Sequence, residues 1–247
     1  MPYILSLGGR DMPAVFVNVG TVLVGSLLGI LLRSRLKQKL LDALIVALAL
    51  CTALIGIQSA LGTADVLCVI VCMALGTLMG ELINIDKGIT VGGDALKKRV
   101  LRGKGESRFT EGFVSACILF CVGSMTIMGS LEAGLHGDYR IILAKSALDF
   151  VSSMAFGAAM GIGVTFSALF VLVFQGALTL LASLVGPYLS TRVVAEMSAV
   201  GGVILMGMAV NMLGLRKEPV KVANMLPAIF LPLGYLPLAD WLRGLFS

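Results

Sequence analysis

The sequence predicts an all-α polytopic membrane protein, a bundle of about eight transmembrane helices. Three observations carry that expectation. Of 247 residues, 58% are hydrophobic and only 13% charged, against about 25% charged in an ordinary soluble domain. The mean hydropathy is +1.00, and apolar runs of about 20 residues, the length that crosses a bilayer, recur along the whole chain. The basic residues gather in a few short segments between those runs, which is how membrane topology is written.

Taken in order, the apolar segments are 14–32, 40–61, 65–85, 110–131, 141–163, 164–186, 197–214 and 222–242. The first, with NVGTVLVGSLLG at 18–29, ends in the basic RSRLKQK at 33–39. The second closes on TALIGIQSALG (52–62) and reaches the third through the nearly neutral GTAD (62–65). The third carries ALGTLMG (74–80) and runs into a long basic linker, residues 87–108, in which DALKKRVLRGK suggests a short amphipathic helix on the anionic leaflet. The fourth segment leads to the fifth through EAGLHGDYR (132–140). Segments five and six meet at GIGVTFS (161–167), too apolar for an aqueous turn, so a helix break or a re-entrant turn there would leave seven spans. GPYLSTR (186–192) precedes the seventh, and RKEPVK (216–221) separates it from an eighth that holds Pro227, Pro232 and Pro237.

With eight spans the three basic segments fall on one side, the cytoplasmic one, and both termini fall outside. The whole chain, 1–247, then forms a single integral membrane domain in which 87–108 is a cytoplasmic linker between the third and fourth helices. Echoes of TALIGIQSALG at TIMGSLEAGL (126–135) and MGMAVNMLGL (206–215) suggest a helical hairpin used more than once, as in many transporters.

Composition also excludes. A net charge of +5 confined to inter-helix segments, with no binding module, gives no nucleic-acid partner. The five cysteines lie inside apolar segments, Cys68 with Cys72 and Cys117 with Cys121 at a spacing of four; they read as reduced core residues, since that helical spacing does not by itself meet the geometry of a disulfide. The single histidine, His136, cannot build a His-rich metal centre, and no nucleotide or nucleophile-elbow motif is present. No enzyme activity, no cofactor and no identified metal are expected.

At NVGTVLVGSLLGILL, CTALIGIQSALG, FCVGSMTIMGSLEAG, KSALDFVSSMAFGAAMGIGV and GGVILMGMAVNMLGL with VANMLPA, the chain resembles the YqgA/YdfK-like bacterial integral membrane proteins, a domain of unknown function (554). The resemblance implies a multi-pass protein of the bacterial cytoplasmic (inner) membrane. It carries no substrate and no site residues.

Candidate site residues come instead from polarity inside apolar segments. Ionisable groups at membrane depth face the bundle interior and mark function by default. Asp149 lies eight residues into its segment, about 12 Å down at 1.5 Å per residue, and Lys145 stands one turn earlier on the same face. Ser152 and Ser153, then Gly157 and Gly161, continue that face. Asn18 and Thr21 share a face with Gly25 and Gly29, while Gln58 and Asn211 hold corresponding places in two of the echoes and Asn224 precedes the proline-rich segment. Carboxylate, amide and carbonyl oxygens suit a hard cation. Glu81, Asn84 and Glu196 read as interfacial. The glycine faces read as packing surfaces, within a protomer or in a homo-oligomer.

The function these residues suggest is a small transporter or channel for an inorganic cation or small solute, with Asp149 as ion or proton site and the bilayer as constant partner. The alternative is a non-transporting scaffold, sensor or lipid-interacting protein of the envelope. Convergence of the polar residues would favour the first.

Overall fold

A computed structural model describes residues 12–88, 91, 109–121 and 123–245. Helices account for the described chain, with no strand among the described residues. They are α1 (Pro13–Arg33), α2 (Gln38–Ala60), α3 (Val66–Ile83), α4 (Phe109–Cys121), α5 (Ser124–His136), α6 (Arg140–Met160), α7 (Gly163–Leu180), α8 (Thr191–Met212) and α9 (Pro232–Leu245), with a short turn of helix at Ala182–Val185 and a 3-10 segment at Val222–Phe230. Six of these are long and apolar enough to cross a membrane. The pair α4–α5 is bent by 57°, and the 3-10 segment with α9 by 46°; counting each bent pair as one broken span gives eight. The amphipathic helix expected within 87–108 lies almost wholly outside the described residues.

Helix ends follow local chemistry. Pro13 opens α1, where a missing N–H costs nothing. Asp65 caps α3 by accepting from the Cys68 N–H at 3.1 Å, and Ser190 caps α8 by accepting from Val193 N–H at 3.3 Å. The junction at Gly161 is a tight turn: Gly161 takes φ +82°, open to glycine without strain, and two residues separate α6 from α7. The second bend falls between Phe230 and Pro232, where proline forbids continuation of the preceding turn.

The chain divides into two compact units, each built from two separate stretches of sequence. The first comprises residues 1–41 and 111–187, the second 42–110 and 188–247. In the first, α1 lies along α6 and also meets α7, while α5 packs on α6 and α7. Small residues set that approach: a Cβ placed on Gly157 would stand 2.5 Å from the Ser26 carbonyl oxygen, and one on Gly29 2.8 Å from the Ala158 nitrogen. In the second, α3 lies along the 3-10 segment, and α8 packs on that segment, α3 and α9. Here Gly80 meets the backbone of Asn224 and Gly76 that of Ala228, while Gly56 and Gly202 bring α2 and α8 together. The glycine faces thus hold helices together inside each unit. Leucines on the outer faces, among them Leu31, Leu54, Leu78 and Leu82, stay exposed as lipid contact requires.

Candidate functional site

In the first unit, α6 carries Lys145 and Asp149 one turn apart, which helical geometry turns to the same face. Their side chains bond directly, ammonium to carboxylate, and both residues are buried, at 5% and 7% exposure. Asp149 stands beside the midpoint of a 21-residue helix. The Phe120 ring of α4 covers the ammonium at 5.9 Å, a cation–π contact that replaces part of the lost hydration. Cys121, next along α4, faces the same pair.

Across from α6, α1 contributes Asn18, which is fully buried. Its amide nitrogen donates to the Gln175 side-chain oxygen of α7 at 2.9 Å, and its side chain lies near enough to Asp149 to favour the ionised carboxylate. Thr21 donates to the Asn18 carbonyl at 2.7 Å, closing its own hydroxyl onto the helix. Ser153 donates to the Phe150 carbonyl at 3.0 Å and sits where Gly25 leaves room for it. Ser152 is half-buried beside it. Three helices thus bring an acid–ammonium pair and a hydrogen-bonded pair of carboxamides into one buried polar cluster. Within it, the Gln175 amide nitrogen is buried without a hydrogen-bond partner.

The second unit holds the remaining candidates, of which Asn211 and Asn224 have local roles there. Asn211 accepts from the Val220 N–H and donates to the Val220 carbonyl, both at 2.7 Å, pinning the connector after α8. Asn224 accepts from the Asp86 N–H at 2.7 Å. Gln58 is exposed. Glu81 is exposed and pairs with Lys221 at 3.4 Å. Asn84 ends α3 in the left-handed region at φ +57°, a conformation asparagine tolerates.

Glu196 stands in the second turn of α8, against the turn that leads into α3. It is fully buried, and its carboxylate accepts from the Thr63 hydroxyl at 2.5 Å, the Ala64 N–H at 2.8 Å and the Asp65 N–H at 3.1 Å. A carboxylate gripping the free N–H groups ahead of a helix is stabilised by hydrogen bonds and by the helix dipole together. Outside it, Asp65 pairs with Arg243 at 3.2 Å, and Asp240 pairs with Arg192 at 3.0 Å.

Sequence reasoning missed Gln175. A signal existed: it is the lone amide in the apolar FVLVFQGALTL of α7. Nothing in the sequence, however, joins it to Asn18, 157 residues earlier. Cys68 and Cys72 sit with sulfurs 3.8 Å apart as free thiols. No group of three or more His, Cys, Asp or Glu that could hold a metal occurs among the described residues.

A profile of the family described as "Protein of unknown function (DUF554)" matches residues 13–236. The chain is 31% identical over 219 residues to the "Uncharacterized protein YqgA" of Escherichia coli (strain K12), covering 87% of this chain and 92% of that protein. It is 31% identical over 163 residues to the "Uncharacterized membrane protein YdfK" of Bacillus subtilis (strain 168), covering 66% of this chain and 67% of that protein. No solved structure matches the chain at a significant level.

Proposed function

We propose, for a chain that belongs to the DUF554 family of membrane proteins of unknown function, that it moves an ion or small solute across the bacterial inner membrane through the polar network of its first unit. The observation that carries this reading is the buried Lys145–Asp149 pair near mid-helix, with the Asn18–Gln175 amide pair beside it. Buried ion pairs are a poor way to gain stability, because desolvation of both charges offsets their attraction and an apolar pair of equal volume does as well or better. In hydrocarbon the argument is stronger, and such groups mark substrate or proton paths. Asp149 is the group whose charge changes during passage, and Lys145 its resident counter-ion. The arrangement supports binding and passage in that acid and ammonium hold each other.

Access is the test, because it needs no knowledge of the substrate. Ser153→Cys and Asn18→Cys are introduced into a chain whose five native cysteines are replaced, and membrane-impermeant thiosulfonate is applied to sealed right-side-out and inverted vesicles. A transport path exposes at least one of these positions to water from at least one side. If both stay unmodified from either side, the network is sealed glue, and the scaffold reading takes its place.

A further inference from the structure

We propose that α9 is a hinged gate of the second unit. It turns about Leu231, is latched by the ion pairs Asp65–Arg243 and Arg192–Asp240, and on release opens the half of α3 that carries Cys68 and Cys72. This goes beyond the transport reading, since every residue involved lies in the second unit and none belongs to the polar cluster around Asp149.

The last span consists of two halves held to very different degrees. The first, the 3-10 segment Val222–Phe230, is nine residues long, whereas such runs rarely exceed three or four and often mark a hinge. Backbone meets backbone there: Asn224 lies against Gly80, and Ala228 against Gly76 near the middle of α3. The second half, α9, turns away by 46° after the single residue Leu231. Pro232 has no N–H to carry the ladder across, and Pro237 leaves a second gap inside α9. Among the described side chains of α9 only Pro232 and Leu236 are buried, and a Cβ on Gly234 or Gly244 would meet nothing within 4 Å. A half-helix packed so thinly can swing about its joint while the half before it stays in its seam.

At its far end α9 is tied down by charge. Arg243 reaches Asp65, the cap of α3, at 3.2 Å, and Asp240 reaches Arg192, in the first turn of α8, at 3.0 Å. Arg243 and Asp240 stand 3.8 Å apart on α9 itself, which joins the two pairs into one chain. Of its four members only Asp65 is well covered. Exposed pairs of this kind are individually weak and screened by salt, so they hold a movable element without fixing it. The frame beneath is firmer: Glu196 grips the Ala64 and Asp65 N–H groups from α8, so the start of α3 stays in place when α9 moves. Tyr235 of α9 stands near Asp65, Cys68 and Cys72. Both thiols are free and sealed from solvent, at 0% and 1% exposure, so they report an opening of this face.

The experiment measures how fast N-ethylmaleimide alkylates each cysteine of the full chain in lipid nanodiscs, read by mass spectrometry. The variants are Arg192→Asp, Asp240→Arg and the two together. Each single change sets like charges against each other, and the double change restores attraction with the signs exchanged. Both single variants should raise labelling of Cys68 and Cys72 by about two- to fivefold, the scale of one exposed ion pair. The double variant should return it to the wild-type rate. Cys117 and Cys121, buried in the first unit, should not change and serve as the reference. A direct effect of charge on the thiols would drive the two single variants in opposite directions, since one adds negative and the other positive charge. Opposite responses therefore overturn the proposal. So do unchanged rates, equal rises at all four buried cysteines, or a double variant as reactive as the single ones. None of these outcomes bears on the access measurement at Asn18 and Ser153, which judges the transport reading on its own.

Discussion

Asp149 and Glu196 are both buried acids on long apolar helices, one in each unit, and they are satisfied by opposite means. Asp149 is held by a side chain, the Lys145 ammonium, with the Asn18 amide nearby. Glu196 is held by two backbone N–H groups and one hydroxyl at the entry to α3. Side-chain partners can swing away by a rotamer change. Backbone partners leave only if the chain ahead of α3 unwinds. The difference separates a network able to change state from a clamp that fixes where two helices meet, and it is why the first acid and not the second is read as functional.

The comparison can be broken most directly at Lys145. Lys145→Met leaves a buried carboxylate without its counter-ion and should cost about 3–5 kcal/mol, whereas Lys145→Met with Asp149→Leu should regain most of that loss. Denaturant unfolding in detergent reads both; a double variant as unstable as the single one would put Asp149 in the same class as Glu196. For Glu196→Leu the expected loss is about 3 kcal/mol, from three stranded donors at about 1–3 kcal/mol each that do not add fully. No second substitution should rescue it, since two of its partners are main chain, and recovery on adding Thr63→Val would contradict the clamp.

Glycine contacts should behave alike in the two units. A methyl group at Gly157 or at Gly80 meets backbone that cannot turn aside, so alanine at either should lower stability by about 1–3 kcal/mol in thermal unfolding. An alanine tolerated at Gly157 alone would sharpen the contrast by showing the α1–α6 seam to be the looser one. The smallest effect belongs to the connector between α5 and α6. There the Arg140 guanidinium, hydrogen-bonded at 3.0 Å, holds the Asp138 carboxyl down at about 2 from an ordinary 3.8. A depressed acid stabilises the fold above its ordinary value and loses that contribution as pH falls through the folded one. Asp138 should therefore titrate near pH 2 by carboxyl NMR, and Asp138→Asn should remove the pH dependence between about 4 and 2.

Much of the architecture was legible because hydropathy is local. The boundaries 14–32, 40–61 and 65–85 lie within a few residues of α1, α2 and α3, and the prolines marked the broken last span. The bend between α4 and α5 was not legible: the expected segment 110–131 runs through it, since Gly123 and Ser124 occur in unbroken membrane helices too. At the site, Lys145 with Asp149 could be read from a spacing of four within one helix. Their meeting with Asn18 could only be hoped for, and Gln175 was passed over, because polarity shows that a residue needs a partner without showing which. The partners of Glu196 were hidden for the same reason: they lie 131–133 residues away.

That same separation has a consequence for the order in which the protein is made. α1 emerges first, yet the helices it packs against are α6 and α7. Between Asn18 and Gln175 lie 157 positions, which a ribosome working at about 5–20 residues per second crosses in roughly 10–30 s. For that interval α1 waits in the bilayer with its glycine face bare and its asparagine unbonded to either final partner, while the second unit's α2 and α3 are already inserted. The turn at Gly161 then delivers α6 and α7 as one hairpin, with the charged pair already within reach of itself on a single helix. The first unit therefore closes late.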